Sequence, residues 1–173
     1  MPKSEETSFV FANCKHGINT VINHIKRFPE VESVTPVTGR FDLVIKLRTN
    51  NPAKAFSALE KIRGLNSITS TQTAISFQTV TNGNRRESES ESESPVGFTL
   101  LKVKGKFQTI LQRLKAFPNF VEAHIIPGEF DILASFRGYS TEELAETAVE
   151  KLNSINGVTA SETLVAWTPT TSL

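Results

Sequence analysis

Cysteine is nearly absent from this sequence, where Cys14 stands alone among 173 residues. A single cysteine cannot form an internal disulfide, and together with three scattered histidines it makes no metal-ligand cluster. The sequence therefore predicts no metal site and no cofactor, and it fits a reducing, cytoplasmic setting. Lys15 beside Cys14 favours a lowered thiol pKa, although a lone cysteine in a strand is more often a packed residue.

Long apolar runs and an excess of either charge are also missing. No apolar stretch approaches the roughly 20 residues that span a bilayer, and residues 1–7 are polar and acidic, unlike a signal peptide. Nineteen Lys and Arg against eighteen Asp and Glu leave a net charge of +1, which predicts no general attraction to nucleic acid or membranes. We therefore expect partners to be recognised through shape and local chemistry, with no direct nucleic acid and no membrane among them.

What the sequence does contain is an internal repeat. A shift of 89 positions aligns two strong blocks, and after one inserted residue a shift of 90 aligns a third. The aligned blocks are Phe28-Pro29 with Phe117-Pro118, Gly39-x-Phe41-Asp42 with Gly128-x-Phe130-Asp131, and Glu60-Lys61 with Glu150-Lys151. This many identities in register indicate two copies of one domain.

A stretch rich in Ser and Glu separates the two copies. Residues 82–95 offer no apolar side chain to bury against a core, which predicts a flexible linker. We therefore expect one domain at residues 8–80, a linker at residues 81–96 and a second domain at residues 97–168. The serines between the glutamates are alternatively phosphorylation sites, but composition favours a solvated spacer.

The first half of each copy has the pattern of a strand followed by an amphipathic helix. Residues 9–12 and 98–101 are short β-rich runs, and each precedes a segment whose apolar residues recur every three or four positions. Pro29 and Pro118 end these helices, because proline lacks the amide donor and disfavours helix in the residue before it.

The second half of each copy predicts a hairpin, a helix and a last strand. Gly39 and Gly128 lie at the bend of the hairpin, where glycine allows a positive φ. The second helix begins at Asn51-Pro52 in one copy and at a capping box, Ser140-x-x-Glu143, in the other. The last strands end at Phe77 and Trp167.

The order βαββαβ predicts an α+β fold made of two tandem ferredoxin-like domains. In such a domain both helices lie on one face of a four-stranded antiparallel sheet. Phe9 and Phe11 point to one face while Val10 and Ala12 point to the other, so both faces of the sheet are apolar. We therefore expect the two sheets to pack face to face as a pseudo-dimer within one chain, like a dimeric α/β barrel.

The motifs around the hairpins resemble the effector-binding (RAM) domain of Lrp/AsnC-family transcription regulators. The resemblance rests on residues 28–31, Val34 and residues 37–45 and 71–75, with counterparts in Phe117-Pro118 and in residues 127–132 and 162–165. In that family, domains dimerise through their sheets, and dimers assemble into rings that hold amino acids or other small effectors. The resemblance thus implies amino-acid binding, homo-oligomers or co-assembly with DNA-binding regulators, and a role in transcription regulation. About eight residues precede the first strand, too few for a helix-turn-helix unit.

The resemblance also implies two effector-facing hairpin loops. From the residues alone turn stabilisation is the favoured role of each aspartate, because Gly and Asp are ordinary turn residues. The resemblance makes the effector-facing role equally plausible, and both interpretations stay open. Arg40 is replaced by Glu129 and Thr38 by Pro127, so a carboxylate-bearing effector should favour the first loop, unless both charges are merely exposed. The candidate ligand-binding residues are Thr38, Gly39, Arg40, Phe41 and Asp42 in the first copy, and Gly128, Glu129, Phe130 and Asp131 in the second.

No set of catalytic residues emerges from the sequence. His16, His24 and His124 have no nucleophile or carboxylate paired with them by motif, so structural or surface roles are favoured. Two alternatives to a small-molecule-binding module stay open. One is an enzyme of the dimeric ferredoxin-like class, an oxygenase or decarboxylase, and the other is a purely architectural assembly protein.

Overall fold

The computed structural model describes residues 5–82, 96–138 and 141–167. The chain divides into two compact units: unit 1 comprises Met1–Ser76 with Trp167–Leu173, and unit 2 comprises Phe77–Ala166. Ser140, the first residue of the predicted capping box, lies outside the described residues. Among the helices of the described part of the chain, none is long and apolar enough to cross a membrane.

Unit 1 has the predicted element order. Its elements are β1 (Glu6–Cys14), α1 (Ile18–Lys26), β2 (Val31–Thr38), β3 (Leu43–Thr49), α2 (Pro52–Arg63) and β4 (Ile68–Ile75). The strands pair antiparallel in the order β4-β1-β3-β2, which is the sheet of a ferredoxin-like domain.

The helices of unit 1 follow from their apolar spacing and their caps. Val21, Ile22 and Ile25 form the buried stripe of α1 and contact the β1 and β3 side chains of one sheet face. Asn51 caps the α2 helix: its Oδ1 accepts the Lys54 amide at 2.9 Å and so satisfies one of the free donors of the first turn.

Both faces of the unit 1 sheet carry buried apolar side chains. Val10 and Ala12 belong to the core under the helices. Phe9 and Phe11 alternate with them on β1 and are each only 3% exposed, although they lie outside that helix-side core. The alternation predicted for β1 is therefore confirmed, and the face-to-face packing of the two sheets stays a prediction.

Unit 2 repeats this arrangement and adds one strand. Its sheet has the order β9-β6-β8-β7-β5, with β5 antiparallel to the edge strand β7. The elements are β5 (Gln78–Thr81), β6 (Val96–Val103), α3 (Phe107–Lys115), β7 (Phe120–Ile125), β8 (Ile132–Arg137), α4 (Thr141–Glu146), a π-helical segment (Thr147–Leu152) and β9 (Val158–Ala166).

The two residues predicted to end the last strands, Phe77 and Trp167, make the same backbone bond in the two units. In unit 2 the Phe77 amide donates to the Ile125 carbonyl at 2.8 Å, and in unit 1 the Trp167 amide donates to the Pro36 carbonyl at 3.1 Å. These residues are equivalent in the repeat. The Trp167 indole Nε1 also donates to the Val37 carbonyl at 3.3 Å. The last strands thus end at Ile75 and Ala166, just before the predicted Phe77 and Trp167.

The second helix of unit 2 carries the extra residue of the repeat. Pro52 and Thr141, which begin the two helices, differ by 89 positions, whereas the buried Ile62 and Leu152 near their ends differ by 90. One inserted residue forces a helix either to shift its buried face or to widen into π turns. The π-helical segment Thr147–Leu152 is where unit 2 accommodates the insertion.

Candidate functional site

The hairpin of unit 1 is fixed by backbone hydrogen bonds on both sides of its turn. The Val37 amide donates to the Asp42 carbonyl at 2.9 Å, and the Asp42 amide donates to the Ala12 carbonyl at 3.0 Å. Between them Gly39 has a φ of 121°, a conformation that favours glycine over residues with a Cβ. The turn is therefore tied to β2, to β3 and to the neighbouring β1.

The Asp42 side chain holds the same hairpin to the end of β1. Its Oδ2 accepts the Cys14 amide at 3.0 Å, at the point where the pairing register of β1 with β4 shifts between Asn13 and Cys14. A bulge takes one amide out of the strand ladder, and a carboxylate is a strong acceptor for it. At least one oxygen of Asp42 therefore has a structural role.

Unit 2 repeats these contacts atom for atom. Asp131 Oδ2 accepts the Val103 amide at 2.9 Å, again beside a register shift at the end of the first strand of the copy. The Ile126 amide donates to the Asp131 carbonyl and the Asp131 amide donates to the Leu101 carbonyl, both at 2.8 Å. The two hairpins thus share one design.

The tips of the hairpins differ in chemistry. In unit 1, Thr38 and Arg40 are exposed, and the Arg40 guanidinium lies 4.6 Å from the centroid of the Phe41 ring. Phe41 is buried and packs on Phe11, with 5.2 Å between ring centroids. An arginine stacked on a fixed ring has fewer conformations to lose when it binds an anion.

The unit 2 tip carries exposed Pro127, Gly128 and Glu129 before a half-buried Phe130. The prediction of a positive φ at Gly128 is wrong. The described glycines with a positive φ are Gly17, Gly39, Gly105 and Gly157. A Cβ at Gly128 would meet the Ile126 carbonyl oxygen at 3.7 Å, an ordinary contact. Pro127, with its restricted φ, stands where the first loop has Thr38, so this turn needs no left-handed glycine.

Cys14 lies next to the Asp42 carboxylate, which accepts its backbone amide. Burial raises its pKa above the ordinary value, and the negative charge of Asp42 raises it further. The alternative of a pKa lowered by Lys15 is therefore wrong, because burial and the neighbouring carboxylate both raise the pKa of this thiol.

His124 has a partner that the sequence analysis missed. The ring is 1% exposed; its Nε2 contacts a Glu122 carboxylate oxygen, and its Nδ1 lies 3.1 Å from the Thr79 hydroxyl. Glu122 and His124 share a face of β7 because strand residues alternate, and that signal was available. His16 and His24 are exposed. Among the described residues no group of three His, Cys, Asp or Glu could hold a metal ion.

Comparison with protein families gives one family over both copies. The model of the Lrp/AsnC ligand binding domain matches residues 7–85 and 96–169, most of the chain. Among curated relatives, the HTH-type transcriptional regulator FL11 of Pyrococcus furiosus is 31% identical over 71 residues, 40% of this chain and 46% of that protein. An uncharacterized HTH-type transcriptional regulator from the same organism is 34% identical over 58 residues, 34% of this chain and 39% of that protein. The chain thus spans less than half the length of these relatives.

Solved structures share the fold over nearly the whole chain. The siroheme decarboxylase NirDL gives a TM-score of 0.69 at 10% identity, covering 94% of this chain and 71% of that chain. A mutant chlorite dismutase from Candidatus Nitrospira defluvii gives 0.62 at 12% identity, covering 96% of this chain and 91% of that one. Likeness at this identity concerns the fold alone. With the strand orders above, it confirms the prediction of two tandem ferredoxin-like domains.

Proposed function

Because the chain belongs to the family of the Lrp/AsnC ligand binding domain, we propose that it binds an amino-acid effector and associates with DNA-binding regulators, whose activity it modulates. The curated relatives are named HTH-type transcriptional regulators, and the family model describes a domain that binds a ligand. Both facts support a sensing and assembly module.

The effector site that we propose lies at the two hairpin tips. The observation that carries it is the shared anchoring: in each copy an aspartate bonds the bulged amide and two backbone bonds close the turn. Such anchoring holds the exposed residues that follow β2 and β7 on a rigid support, as a binding site needs. Asp42 and Asp131 are positioning residues in this proposal, and the exposed tips contact the ligand.

The two tips should prefer different ligand groups. Arg40 presents a guanidinium that can bind a carboxylate with two parallel hydrogen bonds, whereas Glu129 at the equivalent position attracts an ammonium group and repels a carboxylate. An α-amino acid carries both groups. We therefore expect acidic amino acids to favour the unit 1 tip and basic ones the unit 2 tip.

Isothermal titration of the whole chain with each of the twenty amino acids tests this proposal. We expect at least one acidic amino acid to bind, and the Arg40→Glu variant to lose about tenfold or more of that affinity. Arg113→Glu, which reverses an exposed charge on α3, is the matched control and should bind as the wild type does. If no amino acid binds, the proposed sensing function is wrong. If Arg40→Glu binds as the wild type does, the effector site does not lie at the unit 1 tip.

Association with regulators is tested separately by mixing the chain with a full-length relative that carries the DNA-binding part. A mixed complex by size-exclusion chromatography with light scattering supports co-assembly, and two unchanged peaks contradict it.

The alternative of an enzyme gains no support from His124, because Glu122 and Thr79 already contact both of its ring nitrogens.

A further inference from the structure

A large aromatic side chain projects from α2. Phe56 is 61% exposed, whereas the opposite side of the helix, with Ala58 and Ile62, is buried. Arg63 is exposed and lies seven residues further along, which places it on the Phe56 face two turns away, about 10 Å along the axis. An exposed phenylalanine that shares a helix face with an arginine is a typical anchor of a protein interface.

Unit 2 contains a cleft of complementary chemistry. The cleft has a volume of about 260 Å³ and lies where the chain leaves α3 and passes the second helix of that unit. Its apolar part is formed by Phe117 and Pro118, and its acidic wall by Glu143, Glu146 and Glu150, with Asn119 and Lys151 completing the lining. The cleft can therefore take an apolar group flanked by positive charge.

The equivalent place in unit 1 shows what such a ring binds. There the Lys61 ammonium lies 5.6 Å from the centroid of the Phe28 ring and 3.6 Å from a Glu30 oxygen. In the repeat Phe28 corresponds to Phe117 and Glu30 to Asn119. Lys61 corresponds to Lys151, which lines the cleft. Unit 1 thus holds its cation over the ring with Glu30, whereas unit 2 keeps the cation but has Asn119 in place of that carboxylate.

From this comparison we propose that α2 of one chain docks in the unit 2 cleft of a second copy of this chain. Phe56 packs on Phe117 and Pro118, and Arg63 faces the glutamate wall. Three observations carry the proposal: the exposed phenylalanine, the apolar cleft with its acidic wall, and the opposite charges of Arg63 and the glutamates of that wall. The contact joins two different surfaces, so it repeats head to tail and forms rings or filaments.

This contact deepens the assembly half of the proposed function and does not depend on the effector. A protein built from two identical domains would present the same surface twice. Here the two copies share Glu60-Lys61 and Glu150-Lys151 but differ on either side of that block. Arg63 in the last turn of α2 corresponds to Asn153, and the first turn of the unit 2 helix holds Glu142 and Glu143 where the first turn of α2 holds no acidic residue. The divergence gives each chain one donor surface and one acceptor surface.

The first experiment measures the mass of the whole chain in solution against concentration by sedimentation equilibrium. The average mass of the wild type should rise above that of one chain as its concentration increases, and a high salt concentration should weaken this self-association. Phe56→Ser with Arg63→Glu removes the donor surface, and Glu146→Lys with Glu150→Lys removes the acceptor surface. Each double variant should shift the association midpoint by about tenfold or more. Glu142→Lys, exposed on the same helix but outside the cleft lining, is the control and should associate normally.

The decisive experiment mixes the two double variants. The donor variant keeps an intact cleft and the acceptor variant keeps an intact α2, so together they should form a one-to-one complex that grows no further. Any of three results would overturn the proposal. The wild type could remain a single chain at every concentration, the double variants could associate as the wild type does, or the mixture could form no complex. Circular dichroism checks that these surface changes leave the fold intact.

A small cation is the competing occupant of the cleft, and putrescine serves as the probe. If the acceptor variant loses putrescine binding while self-association is unchanged, the cleft binds a small cation and the proposal is wrong. Amino-acid binding at the hairpin tips is read separately by titration, so failure of the assembly contact and failure of effector sensing are distinguishable.

Discussion

Single residues explain why both copies keep the same hairpin. Asp42 and Asp131 each accept a backbone amide that a bulge takes out of the strand ladder. The turn-stabilising interpretation accounts for one oxygen of each carboxylate, and the effector-facing interpretation of the loops stays a proposal. The residues that differ, Arg40 and Glu129, lie at the exposed tips, where a change of charge costs the fold little.

Replacing either aspartate by alanine should destabilise the protein to a similar extent. The change leaves a strand-end amide without its charged acceptor, which costs about 1–3 kcal/mol of the free energy of unfolding. Urea denaturation of Asp42→Ala and Asp131→Ala measures the effect, and Glu60→Ala, exposed on α2, is the control. If one aspartate were dispensable, the equivalence of the two hairpins would be wrong.

The thiol of Cys14 should make stability depend on alkaline pH. Its folded pKa is raised by burial and by the Asp42 charge, so the unfolded thiol ionises first as the pH rises. The stabilisation is complete below the unfolded pKa of about 8.5 and is lost as the pH passes through the folded value. Urea unfolding from pH 7 to 10 should show this decline, and Cys14→Ser should reduce it.

Alkylation by iodoacetamide gives an independent test of the same pair. Asp42→Asn removes the nearby charge, lowers the thiol pKa and should speed alkylation at pH 8. Asp131→Asn makes the same change in the other copy, away from the thiol, and is the matched control. Equal rates for the two variants would show that the Asp42 charge does not act on the thiol.

At the scale of elements, the sequence predicts whatever depends on local pattern. The buried stripes of α1 and α3 follow from spacing, and the unit 1 hairpin follows from Gly39 and Asp42 at its bend, whereas the turn at Gly128 has a different backbone conformation. The strand β5 could not be predicted, because Val80 is its one apolar residue and its partner β7 lies some 40 residues further along. The sequence shows that the second copy has one inserted residue, but the repeat does not show which element contains it. The π-helical segment could therefore not be predicted.

The candidate site was predictable to a similar depth. The repeat and the family resemblance locate the tips, but Cys14 and Val103 as partners of the aspartates depend on bulges that no local pattern reveals. Glu122 beside His124 follows from strand alternation, whereas Thr79 on the other nitrogen depends on the unpredicted β5.

The strand β5 should be part of the folded core of unit 2. Val80 packs on the helix-side core, and the adjacent Thr81 is exposed. Val80→Asp should therefore lower the free energy of unfolding by about 1–3 kcal/mol, whereas Thr81→Asp changes it by less than about 0.5 kcal/mol. Hydrogen exchange of the β7 amides locates the effect, and equal behaviour of the two variants would contradict a docked β5.

For the whole molecule, divergence between the copies matters more than their likeness. Under the proposed function, one chain offers two unlike effector sites, which two identical chains could not provide. Loops of opposite charge on equivalent hairpins would let a single protein compare two ligands.

Exchanging the tip charges should exchange the ligand preferences of the chain. The variant with Arg40→Glu and Glu129→Arg keeps the net charge, and we expect its two sites to keep their affinities with the copies reversed. Adding either change alone to the wild type should instead give two similar sites, seen by titration as a single binding phase. Two unlike phases in each single variant would contradict the assignment of specificity to the tips.

The short strand β5 also limits how this protein could be divided by gene fission. A fragment cut at the start of the second repeat would leave β7 with an open edge, which invites aggregation. A fragment ending before Trp167 would lose the indole that bonds to Val37. Each half of the sequence therefore supplies a piece of the other half's folded unit. We expect separately expressed repeats to be less stable than the fused chain.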